Sequence, residues 1–174
     1  MKVLIAGYPG AGKTTVSTFI AKKFKLNYIS AGKLYRELAS ADGININSIK
    51  FLKWYKQAHY DRIVDSQVRK ASRKGDCVID SWLAPHLIRD GIKIFLKVDF
   101  DVAAKRIASR ENIPIRTAKI ITKKRLDLTR KRAKRLYGIN LDDLSVYNYV
   151  IDTTFLNIKD VNKLVEFLLR RLRL

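Results

Sequence analysis

One cysteine, Cys77, occurs in 174 residues. It has no partner for an internal disulfide, and with two histidines and no C-x-x-C pair the chain offers no zinc-ligand spacing. A disulfide scaffold and a structural zinc site are both excluded, so a reducing, intracellular setting is expected. Long apolar runs are also missing, none reaching the roughly 18 residues that span a bilayer. Met1 to Ala6 runs directly into a glycine turn, without the apolar stretch and cleavage site of a signal peptide. A soluble cytoplasmic protein with no membrane partner is therefore expected. No repeat or low-complexity linker interrupts the chain, whose length suits one domain, residues 1–174, with its own core.

Acidic residues are the next scarcity. Sixteen Asp and Glu face 36 Lys and Arg, a formal net charge of +20. Such a balance attracts polyanions, whether nucleic acid, nucleotide phosphates or an acidic membrane surface, and does not choose among them. The excess is concentrated. Between Lys105 and Arg135, thirteen Lys and Arg stand against Glu111 and Asp127, a net +11.

Hydrophobic periodicity divides the chain into short apolar runs and amphipathic stretches. Lys2 to Ala6 has the length of a buried strand, and Thr14 to Phe24 sets Val16, Phe19, Ile20 and Phe24 at spacings of three and four, a helix. Further strands are expected at Leu26 to Ile29, Cys77 to Asp80, Ile92 to Val98 and Tyr149 to Asp152. Helices are expected after the N-cap Ser30 to about Ala39, at Ile49 to Gln57, at Tyr60 to Lys74, at Asp101 to Glu111 behind a capping Asp99, and at Arg116 to Tyr137. A last helix should run from Asn157 or Lys159 to Arg171 with Val161, Leu164, Val165 and Leu168 inward. The alternation predicts an α/β fold, a parallel sheet of about five strands flanked by helices, with a small helical lobe inserted at about residues 31–74.

The most specific pattern is Gly7-Tyr8-Pro9-Gly10-Ala11-Gly12-Lys13-Thr14, a complete G-x-x-x-x-G-K-T between an expected strand and an expected helix. Its glycines let backbone N–H groups point at phosphate oxygens, and the helix start adds positive potential. Lys13 is expected to reach the β- and γ-phosphates, Thr14 to hold Mg2+ through its hydroxyl, and Thr15 to contact the α-phosphate. Without an N-K-x-D guanine signature, ATP is favoured over GTP. Asp80 ends a strand where a parallel sheet presents its ligand edge. It binds a magnesium-coordinated water or orients the phosphate acceptor; the competing reading is a plain turn residue. Transfer of a γ-phosphoryl group spreads charge over several oxygens, and a cationic helical lid at about residues 112–137 suits that chemistry. Arg125 and Arg132, seven apart, share a helix side, with Arg110, Arg116, Lys124, Lys131 and Arg135 nearby; a solvent-facing basic helix is the alternative.

The chain resembles the nucleoside monophosphate kinases, and within them the archaeal type of cytidylate kinase. The likeness is carried by Gly7 to Thr15, Ile29-Ser30-Ala31-Gly32-Lys33-Leu34-Tyr35-Arg36, Asp61 to Arg69, Arg106 to Glu111, and Tyr137 to Ser145 followed by Tyr147 and Val150 to Thr153. It implies transfer of the ATP γ-phosphate to CMP, with dCMP as a second acceptor. A monomer is expected, with a homodimer as the alternative. Arg36 matches the arginine that binds the acceptor phosphate, beside the edge Ser30 to Lys33. Asp61 and Asp65 contact the amino edge of cytosine directly or hold the residues that do. Arg106 and Arg110 support the phosphate side, and Arg125 with Arg132 or Lys131 matches the basic lid. One stretch departs. Where many relatives carry an arginine after the third strand, this chain has Asp80-Ser81-Trp82-Leu83-Ala84-Pro85-His86. Ser81 donates a hydrogen bond at most, so Arg62 or Arg89 supplies the missing charge or the acceptor differs.

His59 and His86 form no evident acid–base pair, and a phosphate acceptor needs none. Trp54 and Trp82 are expected to pack more than to stack on bases, Trp82 having the stronger functional claim through its place beside Asp80-Ser81. Competing readings are another nucleotide or small-molecule kinase, such as an adenylate kinase, and an RNA-associated NTP-binding protein gripping a backbone with residues 105–135.

Overall fold

The computed structural model describes residues 1–44 and 58–172; the helix expected at Ile49 to Gln57, with Trp54, lies outside the described residues. Five strands, β1 (Lys2–Gly7), β2 (Asn27–Ser30), β3 (Cys77–Asp80), β4 (Ile92–Lys97) and β5 (Tyr149–Asp152), form an all-parallel sheet in the order β2-β3-β1-β4-β5. β1 is central and buried on both faces, which is why it reads as a continuous apolar run.

Alternation along β1 separates two cores. Val3 and Ile5 pack with Val78, Ile94, Leu96 and Ile151 against Val16 and Ile20 of α1 (Lys13–Phe24) and Val161, Val165 and Leu169 of a C-terminal helix, Ile158–Arg171. Leu4, with Cys77 and Ile79, faces Val64 and Val68 of a helix at Ala58–Ser72. In chain order the remaining helices are α2 (Ala31–Ala41), α3 (Ala58–Ser72), a single turn α4 (Ala84–Leu87), α5 (Phe100–Glu111), α6 (Ile115–Tyr137) and α7 (Ile158–Arg171). Ser30 caps α2 by accepting from the Lys33 N–H at 3.2 Å, and Asp99 caps α5 by accepting from the N–H groups of Asp101 and Val102. Both caps were readable in sequence.

Two expectations shift. The buried stripe of α7 is Val161, Val165 and Leu169, not Leu164, which stays 38% exposed, and Leu168 is half-buried. α4 and a 3-10 turn at Leu144–Val146 had no periodic signal at all. Among the described residues no helix is long and apolar enough to cross a membrane.

Candidate active site

β1 ends at Gly7 and α1 begins at Lys13, so five residues turn the chain at the carboxyl edge of the sheet. Gly10 and Gly12 take φ of 80° and 90°, where a side chain is strained. A Cβ on Gly7 would fall 2.1 Å from the Leu96 carbonyl oxygen, and one on Gly10 2.9 Å from Ala103 Cα. The loop therefore needs glycine for close packing as well as for turning. Gly10→Ala is expected to cost about 1–3 kcal/mol of stability and to weaken nucleotide binding by about tenfold or more, roughly 1.4 kcal/mol. Thermal melts and titration with a fluorescent nucleotide read the two effects separately.

The Lys13 ammonium donates to the Tyr8 carbonyl at 2.9 Å, which holds it across the loop. Burial pushes its pKa below the ordinary lysine value, the Asp80 carboxylate pulls it back up, and the Arg110 guanidinium adds a push down. β3 places Asp80 level with Ile5 of β1 and Ser30 of β2. The carboxylate is buried, and its Oδ2 accepts from Thr14 Oγ1 at 2.8 Å and from the Tyr28 hydroxyl at 3.3 Å. A hydroxyl and a carboxylate at the mouth of a phosphate loop fit Mg2+, which takes hard oxygen ligands and draws the rest of its shell from phosphates and water. Among the described residues no group of three or more His, Cys, Asp or Glu is arranged to hold a metal by protein ligands alone.

From this loop a cavity of about 320 Å³ extends to the junction of α2, α3 and α6. Its far end is acidic and phenolic. Asp61 and Asp65, one turn apart on α3, share a face and are both buried. Asp61 accepts from the Tyr35 hydroxyl of α2 and pairs with Arg132 Nη2 of α6 at 3.3 Å. The Arg132 guanidinium also lies 5.7 Å over the Tyr35 ring. Asp65 Oδ2 accepts from the Tyr137 hydroxyl at 2.5 Å. Burial drives both carboxyls up; Arg132 and Tyr35 oppose this at Asp61 without cancelling it. Asp65 is pushed up to about 6, chiefly by burial, with Tyr137 pulling down and the Asp61 charge pushing further up.

The raised Asp65 pKa has a defined sign for stability. The folded state favours the protonated carboxyl, so its contribution is fully present below the ordinary carboxyl range and is lost as pH rises through about 6. Asp65→Asn is therefore expected to melt above the wild type at about pH 8, and the gap is expected to close by about pH 4, near the unfolded pKa. A pH series of paired thermal melts checks this.

The cavity gathers the residues named from sequence for catalysis, nucleotide, metal and acceptor, except Ala11, Lys33, Arg62, Arg89, Arg106 and Lys131. The Ala11 side chain, 2% exposed, turns into the core. Arg106, expected on the phosphate side, lies behind the phosphate loop and outside the cavity lining. Its guanidinium donates to the carbonyls of Gly10 at 3.3 Å, Thr153 at 2.8 Å and Leu156 at 3.4 Å, tying the back of the phosphate loop to the β5–α7 connection. Ser81 lines the cavity, and its Oγ accepts from the Ala84 N–H at 3.2 Å, starting α4. Arg62 and Arg89, offered as replacements for the absent arginine, are exposed and do not line the cavity. Five other cations do, namely Lys13, Arg36, Arg110, Arg125 and Arg132.

The tract between Lys105 and Arg135 divides. Arg110, Arg125 and Arg132 face the cavity, whereas Arg116, Lys124, Lys131 and Arg135 are exposed and outside its lining. Sequence reasoning missed Tyr35 and the Tyr137 hydroxyl as partners of the two buried acids, and missed Arg130. Arg130 pairs with Asp142 at 2.8 Å and lies 6.0 Å from the rings of both Tyr8 and Trp82. Trp82 packs edge-on against Tyr8 and lines the cavity. His86 sits apart, its Nε2 3.4 Å from the Tyr147 hydroxyl, and burial lowers its pKa.

A glycine-rich loop feeding the helix after the central strand, an aspartate on the neighbouring strand and a cation-lined cleft define a phosphate-loop protein of the small-kinase type. A shikimate kinase from Bacteroides thetaiotaomicron shares this fold with a TM-score of 0.64 at 17% identity, covering 100% of this chain and 99% of that one. The sequence matches the cytidylate kinase-like family over residues 3–155. The cytidylate kinase of Pyrobaculum islandicum is 37% identical over 161 residues, 91% of this chain and 86% of its own. That of Methanocaldococcus jannaschii is 34% identical, covering 95% of this chain and 96% of its own. The chain belongs to the cytidylate kinase-like family.

Proposed function

We propose that this protein transfers the γ-phosphate of ATP to CMP, with dCMP as a second acceptor, giving ADP and CDP or dCDP. The observation that carries the reading is one cavity joining the phosphate loop to the Asp61–Asp65 end. Cytosine presents an exocyclic amino donor; an ionised carboxylate at the far end accepts from it, whereas the carbonyl of uracil at that place would meet like partial charge. The acceptor phosphate then points toward Arg36, and its oxygen attacks the γ-phosphorus in line as the bond to the leaving ADP oxygen breaks. The acceptor is already an oxyanion, so no histidine base is required.

Lys13 and the loop N–H groups hold the β- and γ-phosphates, while Arg110 and Arg125 meet charge on the transferring group. Thr14 and Asp80 would hold Mg2+, which would supply positive charge to neutralise the phosphates. The described residues within about 31–74 belong to the acceptor lobe, and about 112–137 form a lid that excludes water. Because Asp65 must be ionised to accept from cytosine, KM for CMP is expected to rise as pH falls below about 6, with kcat moving less. Quantifying ADP and CDP in the same tube tests the activity: the two form one to one, and ADP formation stops when CMP is omitted. Equal ADP formation without an acceptor would mean an ATPase.

A further inference from the structure

The net charge is only partly accounted for by the cavity. Six exposed cations of α6, namely Arg116, Lys123, Lys124, Lys131, Lys134 and Arg135, stand outside the cavity lining. The side of α6 that lines the cavity carries Thr122, Arg125, Thr129, Arg132 and Leu136. At 3.6 residues per turn the six fall on the opposite side. At 1.5 Å per residue they run along a ridge roughly 28 Å long. Asp127 is the one acid exposed on α6. It relieves Lys123 and Lys131 at i,i+4, but Lys131 faces Lys134 and Arg135 across one turn, an arrangement that destabilises a helix and that solubility alone does not require. The hydroxyl of Tyr137 and the guanidinium of Arg132 join α6 to α3, whose exposed side adds Arg62, Arg69 and Lys70.

We propose that the outward ridge of α6 is a docking surface for the phosphate backbone of a single-stranded nucleic acid, separate from the nucleotide cavity. A membrane surface fits less well, because the apolar side of α6 is already packed, Ala118 and Ala133 being buried, and the ridge adds only Ile120 as an exposed large apolar side chain. No aromatic side chain is exposed on α6, so base stacking adds nothing and binding should be independent of sequence. A flexible strand can follow one straight line of charges on a convex helix, and its affinity should fall steeply with salt.

The test is fluorescence anisotropy of a labelled oligouridylate of about 20 nucleotides, with KCl varied. Six contacts predict that log affinity falls against log salt with a slope of roughly 4. The variant Lys123→Gln, Lys124→Gln, Lys134→Gln should reduce that slope by about 2 and weaken binding at least about tenfold near 0.1 M salt. A control with the same charge change, Lys22→Gln, Lys25→Gln, Lys163→Gln, removes exposed cations of α1, its end and α7, and should bind like the wild type. Circular dichroism verifies that both variants are folded. Equal weakening of the two variants would assign binding to net charge alone and overturn the proposal. So would a wild-type slope below about 1, or displacement of the oligonucleotide by saturating ATP and CMP, which would place it in the cavity.

Discussion

Lys13→Met is expected to lower kcat/KM for CMP by about 10³-fold or more while leaving the protein folded. A single preorganised donor facing transition-state charge is worth about 10²–10³ in kcat, or roughly 3–4 kcal/mol. Lys13 brings a full charge to a site where burial already depresses its pKa. That depression also fixes the direction of the stability change. The folded state resists the ammonium, so an apolar stem that keeps the methylene packing should melt at or above the wild-type temperature. The added stability that saturating ATP confers should shrink at the same time. Steady-state kinetics and paired melts separate these effects. A large fall in melting temperature would make Lys13 a structural residue.

The second large effect belongs to the Arg132–Asp61 pair, whose side chains are 8% and 7% exposed. Arg132→Met leaves the Asp61 carboxylate buried with the Tyr35 hydroxyl but without its cation. Removing one member of a buried pair costs about 3 kcal/mol or more, which for a chain of this size lowers the melting temperature by roughly 6–12 °C. In the double variant Arg132→Met, Asp61→Asn position 61 no longer carries an unpaired buried charge, and at least about half of that loss should return. Activity should not return with it, because both groups line the cavity end proposed for the acceptor base. Both variants are expected to lose about 10²-fold or more in kcat/KM for CMP. A double variant no more stable than Arg132→Met would show that the pair is not the source of the loss.

What was legible in sequence was local. The phosphate loop, the caps Ser30 and Asp99, and the strand ending in Asp80 all depend on residues within a few positions of one another. On α7, Val161 and Val165 are buried as read, but Leu169 and not Leu164 completes the buried stripe, because Leu164 and Leu168 satisfy helical spacing as well as Leu169 does; only the position of β5 and α1 selects between them. Arg106 and Arg110 lie one turn apart, yet the first meets the carbonyls behind the loop and the second reaches the cavity. Spacing gave them a common face and could not give them different depths. Tyr35 and Tyr137 find their carboxylates 26 and 72 positions away, and no periodic pattern carries pairings at that range. The basic tract reads in sequence as one stretch, but in the fold it divides: Arg110, Arg125 and Arg132 line the cavity, while its outward lysines face away from it.

The central claim is that the cavity presents CMP to the γ-phosphate of ATP under the control of Lys13. It is tested most directly by one reaction containing Mg-ATP with equal CMP, dCMP, UMP, AMP and GMP, resolved by chromatography for wild type and Lys13→Met. The expected result is that CDP appears first and dCDP next, each at least about tenfold ahead of the other diphosphates, a margin of roughly 1.4 kcal/mol, and that both vanish in the variant. Diphosphates of UMP, AMP or GMP forming as fast as CDP, or no acceptor being phosphorylated while ATP still binds, would contradict it.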